Sequence, residues 1–156
     1  MDNNDVLKRL RYALNITDLK VVELFKSVGY DIPRPELEGI FKTEEAAGYA
    51  ECGDSLMARF LEALVISRRG RREGEAAKDP GAGRPRLGNN EILKRLRIAL
   101  ELKDEDIIGI MGLAGVAISK SELSALFRKP GHTNYRPCGD QFLRNFLSGL
   151  TAKYRV

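Results

Sequence analysis

At 156 residues, with 43% hydrophobic and 31% charged residues, the chain has the balance of a soluble globular protein, enough for one ordinary domain or two very small ones. No apolar run approaches the ~18 residues of a membrane span, and the polar start MDNNDVLKRL lacks the apolar stretch of a signal peptide, so a cytoplasmic protein without a membrane partner is expected. Two cysteines do not support a disulfide framework, and the net charge of +4 is split: residues 1–64 carry 8 Lys and Arg against 12 Asp and Glu (−4), 65–88 carry 7 against 3 (+4), and 89–156 carry 11 against 7 (+4).

The first predicted helix is DVLKRLRYAL, with Val6, Leu7, Leu10, Ala13 and Leu14 on one face. Asn4 is the expected N-cap. DLKVVELFKSVG follows, with Asp18 as cap signal and Gly29 as stop. PRPELEGIFK opens on prolines, which the first helical turn tolerates. A loop containing Tyr49 is expected next, its ring pinning the loop to the core. The fourth helix carries an amphipathic stripe of Leu56, Met57, Phe60, Leu61 and Leu64. Residues 68–88 are rich in Gly, Pro and charge, with Leu87 as the one large apolar residue, and read as a flexible linker.

The series then returns. At an offset of 86, residues 3–64 align without a gap on 89–150, with 22 identities in 62 pairs. NNDVLKRLRYAL falls on NNEILKRLRIAL, and ECGDSLMARFLEAL on PCGDQFLRNFLSGL. Ser119 and Glu122 form a capping-box signature at the start of SKSELSALFRK. Pro130, Gly131 and Pro137 keep the segment before the last helix a loop, because a prolyl ring inside a helix costs ~3 kcal/mol. Phe142, Leu143, Phe146, Leu147 and Leu150 repeat the apolar stripe. A copy of this size is marginal as an independent core. The expected fold is therefore all-α: two tandem four-helix repeats packed as an intramolecular pseudo-dimer. The boundaries are 1–67 for an acidic first repeat, 68–88 for the linker and 89–156 for a basic second repeat.

NNxxLKRLRxAL near the start of each repeat, with CGDQFLRNFLSGL near the end of the second, resembles the YehS-like family of bacterial tandem-repeat proteins. The resemblance covers both repeats and implies a small, cytosolic, all-helical bacterial protein of a family without an assigned activity. It brings no catalytic residues with it. The first repeat departs from the fuller motif with CGDSLMARFLEAL.

On the first helix, Lys8 projects about 160° from the apolar face, while Arg9 and Arg11 flank it at about 100°. Flanking arginines pair with carboxylates, so Arg9–Asp54 and Arg95–Asp140 bridges are expected. Tyr12 and Ile98 share a position far from the apolar face and hint at a second contact surface. Cys-Gly-Asp at 52–54 and 138–140 places a thiol near a helix start, but the one histidine, His132, serves only the second copy, and the aspartate opposes a thiolate. These few ligand types are also too scattered for zinc. No catalytic residue, metal or cofactor is expected, and the protein is not expected to be an enzyme. Gly-Arg-Pro-Arg at 83–86 resembles the core of minor-groove-binding segments, although a solvated linker is the stronger reading.

The best basic surface combines the linker with the loop and tail of the second repeat: Arg84, Arg86, Lys94, Arg128, Lys129, His132, Arg136, Lys153 and Arg155, with Tyr135 and Tyr154 among them. Cations interleaved with aromatics suit phosphates and stacked bases. The functional expectation is a non-enzymatic binding protein, monomeric or homodimeric, with RNA preferred over duplex DNA as partner. A protein–protein adaptor is the alternative.

Overall fold

The computed structural model describes residues 1–69 and 87–155. Among them are eight α-helices and no strand: α1 (Asn3–Ala13), α2 (Asp18–Ser27), α3 (Arg34–Ile40), α4 (Asp54–Arg69), α5 (Asn89–Ala99), α6 (Asp104–Leu113), α7 (Lys120–Leu126) and α8 (Asp140–Tyr154). The all-α class expected from the repeat is thus the class observed.

The helix ends follow local chemistry, with two corrections. Asp2, not Asn4, caps α1: its carboxylate accepts the Asp5 amide at 2.9 Å, while Asn4 lies inside the helix and is buried. Thr17, not Asp18, caps α2, because its hydroxyl in extended backbone reaches the Lys20 amide at 3.2 Å. Ser119 caps α7 as expected, accepting the Glu122 amide at 3.1 Å. Its hydroxyl also donates to the Glu122 carboxylate at 3.1 Å. Gly29 and Gly115, both at φ +79°, occupy the left-handed backbone that turns the chain after α2 and α6.

The repeats do not close separately. α1 packs chiefly on α8 and α5 chiefly on α4, so the first helix of each repeat lies on the last helix of the other. α2 and α6 cover α4 and α8 within their own repeats. One continuous apolar core results, running from Val6 to Leu150. Leu7, Leu10, Phe60, Leu93, Leu96 and Phe146 are fully buried in it. This exchange is the intramolecular pseudo-dimer that two marginal copies require. α8 approaches α6 closely at Gly149, where an added Cβ would overlap the Ile110 carbonyl.

The segment read as linker is ordered at both described ends. α4 continues through Arg69, and Leu87 packs against the core while its amide donates to Asp54 Oδ2 at 3.2 Å. Leu87 buries apolar surface, which a solvated linker residue would not. Arg84, Arg86 and the Gly-Arg-Pro-Arg reading lie outside the described residues. Tyr49 and Tyr135 do not join the core. They are half-buried in their loops, where their amides close turns onto Ala46 and His132.

Candidate functional site

The paired asparagines that open each repeat form a clasp. In α1, Asn4 Nδ2 donates to the carbonyls of Ile40 (3.1 Å) and Ala50 (2.9 Å), and its Oδ1 accepts the Cys52 amide at 2.8 Å. Asn90 does the same with Leu126 (2.9 Å), Arg136 (3.0 Å) and Cys138 (2.8 Å). Asn3 reaches the Cys52 carbonyl at 3.0 Å and Asp54 at 2.9 Å, and Asn89 reaches Cys138 at 3.0 Å and Asp140 at 2.8 Å. A carboxamide offers donors and an acceptor from one short side chain, as this loop requires. The recurrence of Asn-Asn with Cys-Gly-Asp is therefore structural.

The cysteines inside the clasp are unsuited to nucleophilic work. Burial, followed by the charge of Asp54, pushes the Cys52 thiol up to about 12; burial and Asp140 do the same for Cys138, also to about 12. At neutral pH both are protonated. Hydrogen bonds from the Met1 ammonium (2.6 Å) and Asn89 hold the Asp140 carboxyl below the ordinary carboxylate range.

The expected Arg9–Asp54 and Arg95–Asp140 bridges are absent among the described residues. Asp54 and Asp140 are taken by the asparagines. The helix exchange turns Arg95 toward α4 rather than its own repeat's Asp140. There it is 6% exposed, with Nε on Glu91 at 3.1 Å and Nη1 3.5 Å from the Ala58 carbonyl. At the counterpart contact, Ala58 is replaced by Arg144, and Arg9 stays exposed. Arg11 and Arg97 both close the turn after their helix. Each donates Nε to a carbonyl five residues on (Ile16, 2.9 Å; Leu102, 3.1 Å), pairs with Asp18 or Asp104, and stacks on Phe41 or Phe127.

An open groove of about 350 Å³ lies between α1 and α8, lined by Lys8, Arg9 and Tyr12 on one side and Leu147, Ser148 and Thr151 on the other. Tyr12 is 56% exposed. Arg155, just past α8, crosses to it: Nη1 donates to the Tyr12 carbonyl at 2.9 Å and the guanidinium sits 3.9 Å from the ring centroid. Lys8 anchors its ammonium on the Lys42 carbonyl at 2.8 Å. On the pseudo-symmetric face, Glu62 stands for Ser148 and Ile98 for Tyr12, and Arg95 is buried. The combination of cations, hydroxyls and an accessible ring thus belongs to the α1/α8 face. It can hold an anion beside a planar group.

Among the described residues, the basic surface expected from the sequence is not brought together as one patch. Arg155 joins the groove, whereas the Lys153 ammonium lies 5.7 Å from the Tyr154 ring centroid and does not line it. Arg128 and His132 meet at 3.5 Å in the loop before α8, where His132 Nδ1 accepts the Asn134 amide at 3.0 Å. Lys129 is exposed in that loop, Arg136 closes it onto Ala125, and Lys94 is exposed on α5. Loop and tail join opposite ends of α8, whose 15 residues span about 22 Å. Lys8, Arg9, Ser148 and Thr151 were not singled out as a binding set by sequence, although the outward position of Tyr12 marked the face. Among the described residues no group of three or more His, Cys, Asp or Glu could hold a metal ion, and no helix is long and apolar enough to cross a membrane.

An all-helical, internally duplicated chain with a repeated asparagine clasp is the class these features define. The chain matches the family described as "Protein of unknown function (DUF1456)" twice, over residues 3–70 and 89–155, and belongs to that family. It is also 35% identical over 156 residues to "Uncharacterized protein YehS" of Escherichia coli (strain K12), covering 100% of this chain and 98% of that protein. No solved structure matches the chain.

Proposed function

We propose that the protein is a non-enzymatic binding protein whose α1/α8 groove takes single-stranded RNA. The observation that carries this reading is the pairing of exposed Tyr12 with Arg155 beside Lys8 and Arg9. A ring offers a stacking face for any base, and neighbouring cations track phosphates. The protonated, buried thiols support a role in binding rather than nucleophilic catalysis. A protein-docking role, the alternative, is supported by a different surface, the weakly charged groove of the second repeat.

The test is fluorescence anisotropy on a labelled single-stranded RNA. Three contributing cations imply a log–log salt slope near −2, so affinity should fall roughly fifteen- to twentyfold from about 50 to about 200 mM salt. Arg9→Ala with Arg155→Ala should flatten that slope by about 1.4. Tyr12→Ala should weaken binding by ~1–3 kcal/mol. Undetectable binding at low salt, or an unchanged slope in the double variant, rejects the reading.

A further inference from the structure

The second repeat carries a groove that the first repeat covers with its own side chain. The groove encloses about 250 Å³ and is bordered by Val116, Ile118, Glu122, Leu126, Arg136 and Phe142. At the offset of 86, Val116 corresponds to Tyr30, Ile118 to Ile32, Glu122 to Glu36 and Phe142 to Leu56. In the first repeat Tyr30 spans this region. Its hydroxyl lies 2.9 Å from both Glu36 carboxylate oxygens, and its ring meets Phe25 edge-on with centroids 5.7 Å apart. The Arg59 guanidinium lies 5.1 Å from its centroid.

The neighbours record the missing ring. Ile32 and Leu56 are buried and Glu36 is half-buried, whereas Ile118 and Phe142 are half-buried and Glu122 is exposed. Three equivalent positions lose cover where valine replaces tyrosine. The adjoining surface has also lost its charge: Glu23, Lys26 and Asp31 correspond to Gly109, Gly112 and Ala117, and Leu113, 57% exposed, replaces Ser27. Side chains at Gly109 or Gly112 would meet nothing within 4 Å, so packing within the chain requires neither glycine, although glycine weakens a helix interior.

We infer that this groove docks a tyrosine side chain of a partner protein in the place Tyr30 takes in the first repeat, with its hydroxyl donating to Glu122 and with Met111 and Asn145 standing where Tyr30 meets Phe25 and Arg59. The carboxylate selects a phenol over a plain phenyl ring. The uncharged strip from Gly109 to Ala117 selects uncharged flanking residues, since a charge laid against it would be desolvated without a partner.

The experiment is an amide NMR titration of the full chain with p-cresol, the tyrosine side-chain analogue, and with toluene as the control lacking the hydroxyl. Shifts should centre on residues 116–126 and 136–142, with p-cresol binding about fivefold tighter than toluene. Val116→Tyr restores the ring within the chain and should abolish the p-cresol shifts. Glu122→Ala removes the carboxylate and its bond from Ser119, while Ser119 still caps α7 through the residue 122 amide, and should bring p-cresol down to the toluene level. Equal binding of the two probes to the unmodified chain, or p-cresol shifts that persist in Val116→Tyr, would overturn the inference. Concentration-dependent sedimentation abolished by Val116→Tyr would overturn it too, by assigning the groove to a second copy of the chain.

Discussion

Replacing Asn4 with alanine tests the clasp at its most buried point. The side chain is 2% exposed and makes three hydrogen bonds, to the Ile40 and Ala50 carbonyls and from the Cys52 amide. Each orphaned buried group costs ~1–3 kcal/mol, and water entering the vacated space recovers part of this, so ~1 kcal/mol per bond gives ~3 kcal/mol. At ~2–4 °C per kcal/mol for a chain of this size, Tm should fall by ~6–12 °C. Urea unfolding followed by circular dichroism should show the midpoint moving with the slope unchanged. Hydrogen exchange should accelerate at the Cys52 amide. Asn90 makes the equivalent bonds but is only half-buried, so Asn90→Ala should cost less, ~1–2 kcal/mol. A loss below ~1 kcal/mol for Asn4→Ala, or a larger loss for Asn90→Ala, would refute the account of the clasp.

Gly149→Ala should destabilise by ~1–3 kcal/mol in calorimetry, despite alanine's better helix propensity, because the new methyl group overlaps the Ile110 carbonyl and α6 must move away. Cys52 and Cys138 should react with Ellman's reagent at pH 8 only as fast as the chain opens, since their thiols are buried and pushed up to about 12; rapid modification of the native protein would contradict this. Asp140 has a lowered native pKa, so its stabilisation is full above the unfolded value of ~3.9 and is lost as pH falls through the lower native value. A Tm–pH series should therefore be flatter below about pH 4 in Asp140→Asn than in the unmodified chain.

Periodicity and the repeat made the helical class legible, because apolar spacing needs no knowledge of partners. Leu7, Leu10, Phe60 and Phe146 stand where their stripes put them. What the sequence hid was long-range pairing. Asn4 looks like a cap because asparagine beside a helix start commonly is one; its partners lie 36 to 48 residues away. The joint recurrence of Asn-Asn and Cys-Gly-Asp at one offset was the available signal that the two belong together. An Arg95–Asp140 bridge needs α5 to lie chiefly on α8 of its own repeat, and the helix exchange lays it on α4 instead. The candidate groove was half legible. Helical projection put Tyr12 on the outer face, but Arg155 reaches it from 143 residues away.

The lodging of α1 on α8 also governs the order in which the molecule can be completed during synthesis. α1 ends at residue 13 and α8 begins at residue 140. At ~5–20 residues per second, the apolar face of the first helix emerges roughly 6–25 s before its main partner exists. Through that interval Leu7 and Leu10 must be sheltered by the clasp loop, by a transient neighbour or by a chaperone. The nascent first repeat is the stage at which this chain is most exposed to pairing with a second nascent copy instead of with its own second half.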